Sequence, residues 1–335
     1  MIRVGVIGIG NMGQHHARHY SNFPNVKLVA VADADKKRLA VAKKYGCKFY
    51  ADYRKMLKEE KLDCVSVAVP TALHAKVAID ALNNGAHVLV EKPISYDLNS
   101  ANKIMKTARK NGLKLMVGHI ERFNPVIKRT KELIDNKEVG DILSLNAKRL
   151  AIYHPRIRDC GIIIDLGIHD IDLMNFILNQ EVKRVYAVAN HRFVPNPRFE
   201  DYANVLLTFK NGVIGRIELS WISPRKVREL SISGTKNYCK VDLIQQRIEM
   251  TDSFLETKEH LTWKDYQEFI KKFTPRIRIL QESNVEPLFI ELKEFIAAIE
   301  KDKPVPISGK DAIKALKIAL LAIKSYRENK IIRVD

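Results

Sequence analysis

Cysteine is scarce in this chain. The four cysteines, Cys47, Cys64, Cys160 and Cys239, lie far apart and form no C-x-x-C pair. This spacing argues against a disulfide framework or a zinc site, so we expect no bound metal. The simplest interpretation is four reduced thiols, largely buried, in a cytoplasmic protein.

Long apolar runs are also lacking. No stretch approaches the roughly 18 apolar residues that a membrane helix needs, so we expect no membrane partner. The opening residues, MIRVGVIGIG, lack the basic, apolar and small-residue order of a signal peptide and are typical of a β-strand. A cytoplasmic location follows as an expectation.

Acidic residues are few relative to basic ones. The chain has 57 Lys plus Arg against 39 Asp plus Glu, which gives a net charge of +18. This excess favours nucleic acid, an anionic membrane or a phosphate-bearing small molecule as the partner. The basic residues are scattered, and no helix-turn-helix, zinc-finger or RNP-like motif is present, so we expect no nucleic-acid partner. A solubilising surface and a field that attracts an anionic small molecule both remain open.

The order of apolar runs predicts an α/β protein of two domains. Up to residue 118, strand runs alternate with helical patterns, which indicates a doubly wound parallel sheet. After about residue 120 the strand runs follow one another closely, and turns at 210–212 and 234–237 predict hairpins. We therefore predict a first domain over 1–120 and a second over 121–335, an α+β domain with a large, mostly antiparallel sheet.

This prediction rests on the positions of the strand runs. In the first domain they are 2–8, 26–33, 63–70, 86–93 and 113–119, and in the second 141–153, 182–193, 202–221 and 227–243. Residues 252–280 carry no firm pattern. The end of the chain predicts two helices around a proline-rich turn, and these helices could also pack back towards the first domain.

The glycine-rich segment after the first strand run carries a nucleotide-binding signal. Gly8-Ile9-Gly10-Asn11-Met12-Gly13 is a G-x-G-x-x-G motif at the start of a helical pattern. Gly8 permits the tight turn, Gly10 lets a pyrophosphate approach the backbone, and Gly13 allows close packing of helix and strand. The N–H groups at the helix N-terminus would face the phosphates, and Asn11 and Met12 are counted with the cofactor-binding residues. The motif predicts that 1–120 is a dinucleotide-binding Rossmann domain.

Asp33 indicates which dinucleotide binds. It lies 20 residues after Gly13, at the end of the second strand run, where an acid can accept hydrogen bonds from the adenine ribose. Its charge would repel a 2′-phosphate, so NAD is favoured over NADP. Lys36, Lys37 and Arg38 could soften this preference, although a solvated helical turn explains them as well.

Two further segments are candidates for the chemistry. Glu91-Lys92-Pro93 ends a predicted parallel strand, where Lys92 could donate to a substrate hydroxyl or be an ordinary surface lysine. From Asp165 the pattern is helical, which places Asp165, His169 and Asp172 on one face. A carboxylate one turn away can orient a histidine that accepts a proton, whereas a purely structural polar cluster is the alternative. Three ionisable groups among apolar residues favour the functional interpretation.

These segments occur together in a recognisable order. The order comprises the glycine turn, Asp33, Pro70-Thr71 with His74, Glu91-Lys92-Pro93, Gly118-His119 with Arg122-Phe123, and Asp165-x-x-x-His169. In this order the chain resembles the glucose–fructose oxidoreductase, inositol dehydrogenase and MocA (Gfo/Idh/MocA) family. The resemblance runs from end to end and includes the helix start at Glu286-Pro287-Leu288.

The resemblance implies hydride transfer from a secondary carbinol of a sugar or cyclitol to NAD, which gives a ketone. It implies that Lys92 contacts the nicotinamide side and the reacting hydroxyl, that His169 accepts the proton, and that Asp165 supports His169 and the substrate. It also implies a homodimer or homotetramer formed through the C-terminal sheet. The positions that match cofactor-lining residues of the family include Pro70, Thr71, His74, Glu91 and His119.

The segment before the predicted catalytic helix suggests a substrate class. Arg156 and Arg158 can bind phosphate oxygens in bidentate fashion, and Arg122 is a further substrate-binding candidate. The run R-I-R-D-x-G-x-x-I-D-L resembles family members that act on a UDP-N-acetylhexosamine, so our hypothesis is oxidation of the 3-hydroxyl of such a nucleotide sugar. Structural ion pairs of the arginines, and a free sugar or cyclitol as substrate, are the alternatives. Asp159-Cys160-Gly161 departs from the glycine run of many members and leaves the pocket mouth undefined.

A protein that senses dinucleotides without catalysis is the alternative from another class. Lys92 and His169 argue against it, because a sensor has no need of a proton-transfer pair.

Overall fold

The computed structural model describes residues 1–154, 160–196, 199–253, 262–263, 267–268, 271 and 274–334. The chain divides into two compact units. The first unit comprises Met1–Phe123 and Val285–Lys317, and the second comprises Asn124–Asn284 and Ile318–Asp335.

The first unit is built on a six-stranded sheet. Its strands lie in the order β3-β2-β1-β4-β5-β6, and all pairs are parallel. The central strands are buried on both faces, which explains why they read as continuous apolar runs. The elements in chain order are β1 (Ile2–Ile7), α1 (Asn11–Asn22), β2 (Val26–Ala32), α2 (Leu39–Tyr45), β3 (Lys48–Tyr50), α3 (Tyr53–Glu59), β4 (Cys64–Val67), α4 (Thr71–Asn83), β5 (His87–Glu91), α5 (Leu98–Lys110) and β6 (Leu115–Gly118).

The strand order reverses beside β1, because the chain moves outward to β2 and β3 and then returns to β4 on the other side. Ligands of such sheets bind at this switch point, beyond the carboxyl ends of the strands. The glycine turn follows β1, and Pro70 and Thr71 follow β4, so both predicted cofactor-binding segments lie at this edge.

The second unit is built on a nine-stranded sheet. Its order is β14-β13-β12-β11-β7-β10-β9-β8-β15, and every neighbouring pair is antiparallel except β7 with β10. The elements from residue 125 onward are α6 (Pro125–Asp135), β7 (Ile142–Ile152), α7 (Ile168–Leu178), β8 (Val182–Asn190), β9 (Tyr202–Phe209), β10 (Ile214–Ser220), β11 (Ile222–Gly234), β12 (Asn237–Asp242), β13 (Arg247–Asp252), β14 (Ile277–Gln281), α8 (Pro287–Glu300), α9 (Gly309–Glu328) and β15 (Ile332–Arg333). The parallel sheet and the mostly antiparallel sheet confirm the predicted fold class.

The two faces of the second sheet differ. Helices α6 and α7 lie against one face, where alternate residues such as Leu145 and Ala147 are buried. On the opposite face Val188, Leu206 and Ile214 are 48%, 43% and 54% exposed. An antiparallel sheet with one uncovered face normally carries polar residues there. Lys148, Arg216 and Glu218 do so here, and the three apolar side chains stand exposed among them.

The division of the chain differs from the predicted boundaries in one segment. The prediction assigned 121–335 to the second domain, with the alternative that the C-terminal helices pack back towards the first. Val285–Lys317 belongs to the first unit, in line with that alternative, and the division falls within α9 after Lys317. Packing explains the difference. At the start of α8, the ring of Phe289 lies edge-on to that of Phe23 with centroids 5.3 Å apart, and Arg18 donates to both oxygens of Glu286 at 2.7 and 2.6 Å.

Several local predictions change. The sequence patterns did not predict β3 or α6, and the pattern-free range 252–280 contains most of β14. All four cysteines carry free thiols, of which Cys47 is half-buried and the others are buried. Burial raises the pKa of Cys47 and Cys239 to about 11.

Over the residues that are described, no helix is both long and apolar enough to span a membrane.

Candidate functional site

The turn between β1 and α1 has the backbone that a pyrophosphate site requires. Gly8 has φ +87°, and a Cβ there would lie 2.7 Å from the backbone of Ala68. A Cβ on Gly13 would lie 1.8 Å from the carbonyl oxygen of Gly8, so helix and strand approach too closely for any side chain. Around Gly10, by contrast, a Cβ would meet no atom within 4 Å. These are the three roles that the motif assigns, and the open space at Gly10 fits the approach of a dinucleotide to the helix N-terminus.

Asp33 ties this turn to the end of β2. Its Oδ2 accepts the backbone N–H of Ile9 at 2.7 Å, and its Oδ1 accepts that of Asp35 at 2.8 Å. The carboxylate therefore holds the glycine turn, and each oxygen keeps a lone pair for a ribose hydroxyl. Sequence spacing predicted the ribose role but not the bond to the turn.

A cavity of about 360 Å³ opens beside Asp33 within the first unit. Its apolar walls include Val69, Leu73 and Val77, which suits an adenosine. Arg54 also lines it, and its guanidinium lies 5.5 Å from the ring centre of Tyr53. No sequence pattern singled out Arg54.

The segment Glu91-Lys92-Pro93 follows β5 and is held from two sides. Glu91 Oε1 lies 2.9 Å from Nε2 of the buried His16 of α1. On the other side His74 Nδ1 lies 2.7 Å from the carbonyl oxygen of Pro93, and its Nε2 lies 2.9 Å from that of Val69. His74 thus bridges the segments that follow β4 and β5. The residues on both sides of Lys92, Glu91 and Pro93, are therefore held by hydrogen bonds.

The neighbouring groups determine the protonation state of Glu91. Burial by itself would raise its pKa, but the hydrogen bond from His16 and the positive charges of His16, Lys92 and His74 lower it below the ordinary value. Gly118 at the end of β6 packs against the Glu91 side chain, since a Cβ there would lie 3.1 Å from Glu91 Oε2. The glutamate therefore stays ionised beside Lys92.

Other predicted residues lie along the same edge. Thr71 begins α4, the buried His119 follows β6 and donates its backbone N–H to Val117, and Arg122 is half-buried in the short turn Ile120–Phe123. The carboxyl ends of β1, β2, β4, β5 and β6 thus carry the predicted cofactor-binding residues of the first unit.

In the second unit, Asp165 and His169 lie on a helical segment that differs from the predicted one. One turn of π-helix spans Ile163–Gly167 and leads directly into α7. Asp165 therefore lies in the wider π turn, and the single α-helical face predicted for Asp165, His169 and Asp172 is not a correct description. Wide turns of this kind occur frequently at functional sites. Asp165 is half-buried, while His169 is 9% and Asp172 1% exposed.

Glu200 holds the start of this segment. Its backbone carbonyl accepts the N–H of Ile162 and its side-chain Oε1 accepts that of Ile163, both at 3.0 Å. Gly161 makes room for it, because a Cβ there would lie 2.3 Å from Glu200 Oε2. Burial raises the pKa of Glu200, although its hydrogen bonds and the charge of Arg327 oppose the shift. Sequence reasoning missed Glu200.

A buried ion pair anchors the next turn. Arg149 of β7 donates through Nε to Asp170 Oδ2 at 2.7 Å and through a terminal nitrogen to Oδ1 at 2.9 Å. Both residues are at most 4% exposed. Gly167 brings the same segment against β10, since a Cβ there would lie 2.7 Å from a methyl group of Leu219. The helical segment is thus fixed on both sides of His169, by Glu200 and Gly167 before it and by Asp170 after it.

Two predicted substrate-binding residues, Arg156 and Arg158, lie outside the described residues, as does Asp159. Within the described part of the chain, no group of three or more His, Cys, Asp or Glu side chains could hold a metal ion.

Known proteins match the chain along its whole length. The family model described as "Oxidoreductase family, NAD-binding Rossmann fold" matches residues 2–119, and the GFO/IDH/MocA C-terminal domain model matches 127–239. UDP-N-acetylglucosamine 3-dehydrogenase of Acidithiobacillus ferrooxidans is 29% identical over 95% of this chain and 95% of its own length. Its crystal structure superposes with a TM-score of 0.84 at 27% identity, over 98% of both chains. Myo-inositol 2-dehydrogenase of Thermotoga maritima is 28% identical over 100% of this chain and 99% of its own length.

These matches confirm the resemblance inferred from the motifs, the dehydrogenase activity and NAD as the cofactor. They leave the roles of the individual site residues as predictions. The chain belongs to the Gfo/Idh/MocA family of oxidoreductases, which act on sugars and cyclitols.

Proposed function

We propose that this enzyme oxidises the 3-hydroxyl of UDP-N-acetylglucosamine, or a close UDP-N-acetylhexosamine, to a ketone with NAD. The observation that carries the proposal is the similarity to UDP-N-acetylglucosamine 3-dehydrogenase over 95% of the sequence and 98% of the structure. The two arginines at 156 and 158 and the net charge of +18 suit a substrate with a diphosphate.

The oxidation comprises a hydride transfer from the substrate carbon and a proton transfer from its hydroxyl. NAD, when bound, supplies the hydride acceptor. His169 accepts the proton of the substrate hydroxyl as the C–H bond breaks and the C=O bond forms, and Asp165 keeps the imidazole oriented for this step. Lys92 donates a hydrogen bond to the reacting oxygen and stabilises its developing negative charge. Glu91, held ionised by His16, fixes the strand end from which Lys92 extends.

The test is the absorbance of NADH after mixing enzyme and NAD with UDP-N-acetylglucosamine, free glucose or myo-inositol in parallel. An aminotransferase that consumes the 3-keto product should be included, because the oxidation can be unfavourable at equilibrium. We expect turnover of the nucleotide sugar alone. If the enzyme turns over myo-inositol but not the nucleotide sugar, the substrate is a cyclitol. A cyclitol is the second candidate because of the similarity to myo-inositol 2-dehydrogenase.

The arginines give a second arm of the assay. Replacing Arg156 and Arg158 together by lysine keeps the charge and removes the planar bidentate donors. If they bind the diphosphate, KM for the nucleotide sugar should rise about tenfold with little change in kcat, since this binding is the same in the ground and transition states. An unchanged KM would assign the arginines to structural ion pairs.

We also propose that the enzyme is a homodimer or homotetramer formed through the uncovered face of the second sheet. The support is the row of exposed apolar side chains on adjacent strands, Val188 on β8, Leu206 on β9 and Ile214 on β10. Light scattering should give twice or four times the chain mass, and Leu206→Glu should lower it. A monomeric wild-type protein would refute the proposal.

A further inference from the structure

An aromatic ring of the second unit is largely exposed just beyond the sheet. Phe193 follows β8 and is 64% exposed. Its ring lies edge-on to that of Tyr153, with the centroids 6.3 Å apart, and Tyr153 lies edge-on to the buried Trp221 at 5.5 Å. We call Tyr153, Phe193 and Trp221 the ring cluster. The proposed mechanism uses none of these rings.

A buried carboxylate holds the turn that carries Phe193. Asp201 is 0% exposed, and its Oδ2 accepts three successive backbone N–H groups within 3.1 Å. The donors are Arg192, Phe193 and Val194. Val194 is 5% exposed, so the turn buries one side chain while it exposes the ring beside it. Because this backbone is held, Phe193 loses less conformational freedom when its ring binds a ligand.

The ring cluster lies at one end of the second sheet. Tyr153 comes directly after β7, Trp221 directly after β10, and Phe193 shortly after β8. β7 and β10 are parallel, and β8 and β10 are both antiparallel to β9, so all three strands end on the same side. The three rings therefore gather from separate strands at a single end of the sheet.

The ring cluster is also close to the π turn that leads into α7. Trp221 continues β10, because its N–H donates to the carbonyl of Asp201 at 2.9 Å and its carbonyl accepts the N–H of Tyr153 at 2.8 Å. Side chains two positions apart in an extended strand point to the same face, so Trp221 shares the face of Leu219. A Cβ on Gly167 of the π turn would lie 2.7 Å from a Leu219 methyl group. The ring cluster therefore lies on the face that α7 covers, next to the π turn.

The segment with the two arginines connects the ring cluster to the π turn along the chain. Arg156 and Arg158, which we propose to bind the diphosphate, stand between Tyr153 and Gly161 in the sequence. Tyr153 is bonded to the end of β10. Gly161 packs against Glu200, since a Cβ there would lie 2.3 Å from Glu200 Oε2. The residues that flank this segment are thus both fixed at the same end of the sheet.

We propose that Phe193, supported by Tyr153, binds the nucleobase of the substrate by stacking on it. The inference rests on the proposed function, because a nucleotide sugar has a base and a free sugar or cyclitol does not. In a nucleotide sugar the diphosphate separates the sugar from the base. With the reacting sugar at the π turn and the diphosphate at the two arginines, the base falls at the ring cluster. An aromatic ring binds a base through its π face and needs no hydrogen bond to do so.

Calorimetric titration tests the stack, with the enzyme saturated with NADH so that no turnover occurs. The ligands are UDP-N-acetylglucosamine and UDP, which share the base but not the sugar. Phe193→Ala should raise Kd for both about tenfold, the loss expected for one base–aromatic stack. Phe193→Tyr keeps a ring and should bind both as the wild type does. Tyr238→Ala, at a 40% exposed aromatic residue on β12, is the matched control and should change neither Kd.

The two ligands distinguish failure of the inference from failure of the proposed function. If the wild type binds UDP and Phe193→Ala binds it equally well, the ring does not hold the base and the inference is overturned, while the proposed function stands. A loss of binding in Phe193→Tyr as large as in Phe193→Ala would overturn it as well, because the ring would not be the cause. A wild type that binds neither ligand and oxidises a free cyclitol would refute the proposed function, and the inference with it.

Kinetics and molecular mass separate the stack from two other roles of an exposed ring. In Phe193→Ala, KM for UDP-N-acetylglucosamine should rise about tenfold with kcat nearly unchanged, because the base is bound equally in the ground and transition states. A fall of kcat by the same factor would instead assign Phe193 to the reacting centre and overturn the inference. Light scattering should give the wild-type mass for the variant. A lower mass would make Phe193 a contact between subunits and would likewise overturn it.

Discussion

In the first unit the candidate residues follow the carboxyl ends of neighbouring parallel strands, and two of them, Asp33 and His74, bond to backbone groups of nearby segments. Asp33, for example, accepts the N–H groups of Ile9 and Asp35. In the second unit His169 lies at the start of the buried helix α7, and side chains from outside the helix, Arg149 of β7 and Glu200, hold this segment. The glycine turn is thus fixed by close backbone packing and one carboxylate, whereas the helix that carries the proposed proton acceptor is fixed by buried charged side chains.

The largest expected effect tests whether the two units supply separate parts of the reaction. His169→Ala removes the proposed proton acceptor and should lower kcat about 10²–10⁴-fold. Lys92→Met should lower it by a similar factor through loss of the donor to the reacting oxygen. NADH fluorescence titration should show cofactor binding in both variants. Near-normal turnover in both would remove the proposed mechanism.

The second prediction concerns the buried pair that supports α7. Arg149→Met leaves the carboxylate of Asp170 buried without its bidentate partner, which should lower the free energy of unfolding by about 3–5 kcal/mol. Urea unfolding measures the loss, and hydrogen exchange should locate it in α7 and leave β1 to β6 protected. Lys148→Met on the same strand is the control, because its pair with Glu218 at 3.8 Å is partly exposed and contributes at most about 1 kcal/mol. Equal losses in the two variants would contradict the comparison.

These supports also mark the limit of what the sequence could predict. The glycine turn, Asp33 and the strand alternation were predictable, because each is a local pattern whose period or spacing reflects one βαβ unit. Glu200 lies 37 residues from Ile163, and no local pattern connects the two. Lys92 was found by its position at a strand end, and His169 by the charged residues around it.

The segment 285–317 shows the same limit at the level of domains. Its helical period predicted α8 but left open the unit to which α8 belongs, because that depends on pairs such as Arg18 with Glu286. The sequence nevertheless marked one buried residue of α8, Glu291, which is 0% exposed. Glu291 stands in an apolar stripe with Leu288, Leu292 and Phe295, at a spacing where a core residue is expected.

The third prediction tests the hydrogen bond from the Ile163 N–H to Glu200 at the start of the π turn. Glu200→Ala removes the acceptor of the Ile163 N–H and opens space beside Gly161, so the start of the π turn should shift. We expect kcat to fall about 10–100-fold, because a small misplacement of a proton acceptor is costly. Glu200→Gln keeps an oxygen at the same place and should restore most of the rate, which identifies the hydrogen bond as the cause. A Gln variant as slow as the Ala variant would instead assign the effect to the charge of Glu200.

The smallest effect is expected at the turn-built site, where Asp33 has two roles that substitution can separate. Asp33→Asn keeps an oxygen to accept the Ile9 N–H and removes the charge that would repel a 2′-phosphate. The ratio of kcat/KM for NADP to that for NAD should rise about tenfold, an effect of about 1.4 kcal/mol, while the fold is retained. Arg54, which lines the same cavity, supplies a positive charge that can attract the extra phosphate.

Asp33→Ala removes the acceptor as well and should weaken NAD binding further, by the worth of one charge-assisted hydrogen bond to the turn. Asp35→Ala, which leaves the backbone N–H at that position in place, is the control and should change neither ratio nor affinity appreciably. If Asn and Ala at position 33 behave alike, the bond to Ile9 contributes nothing, and the charge alone selects the dinucleotide. If Asn leaves the ratio unchanged, selection depends on the shape of the cavity, and the first unit relies on side-chain packing as much as the second.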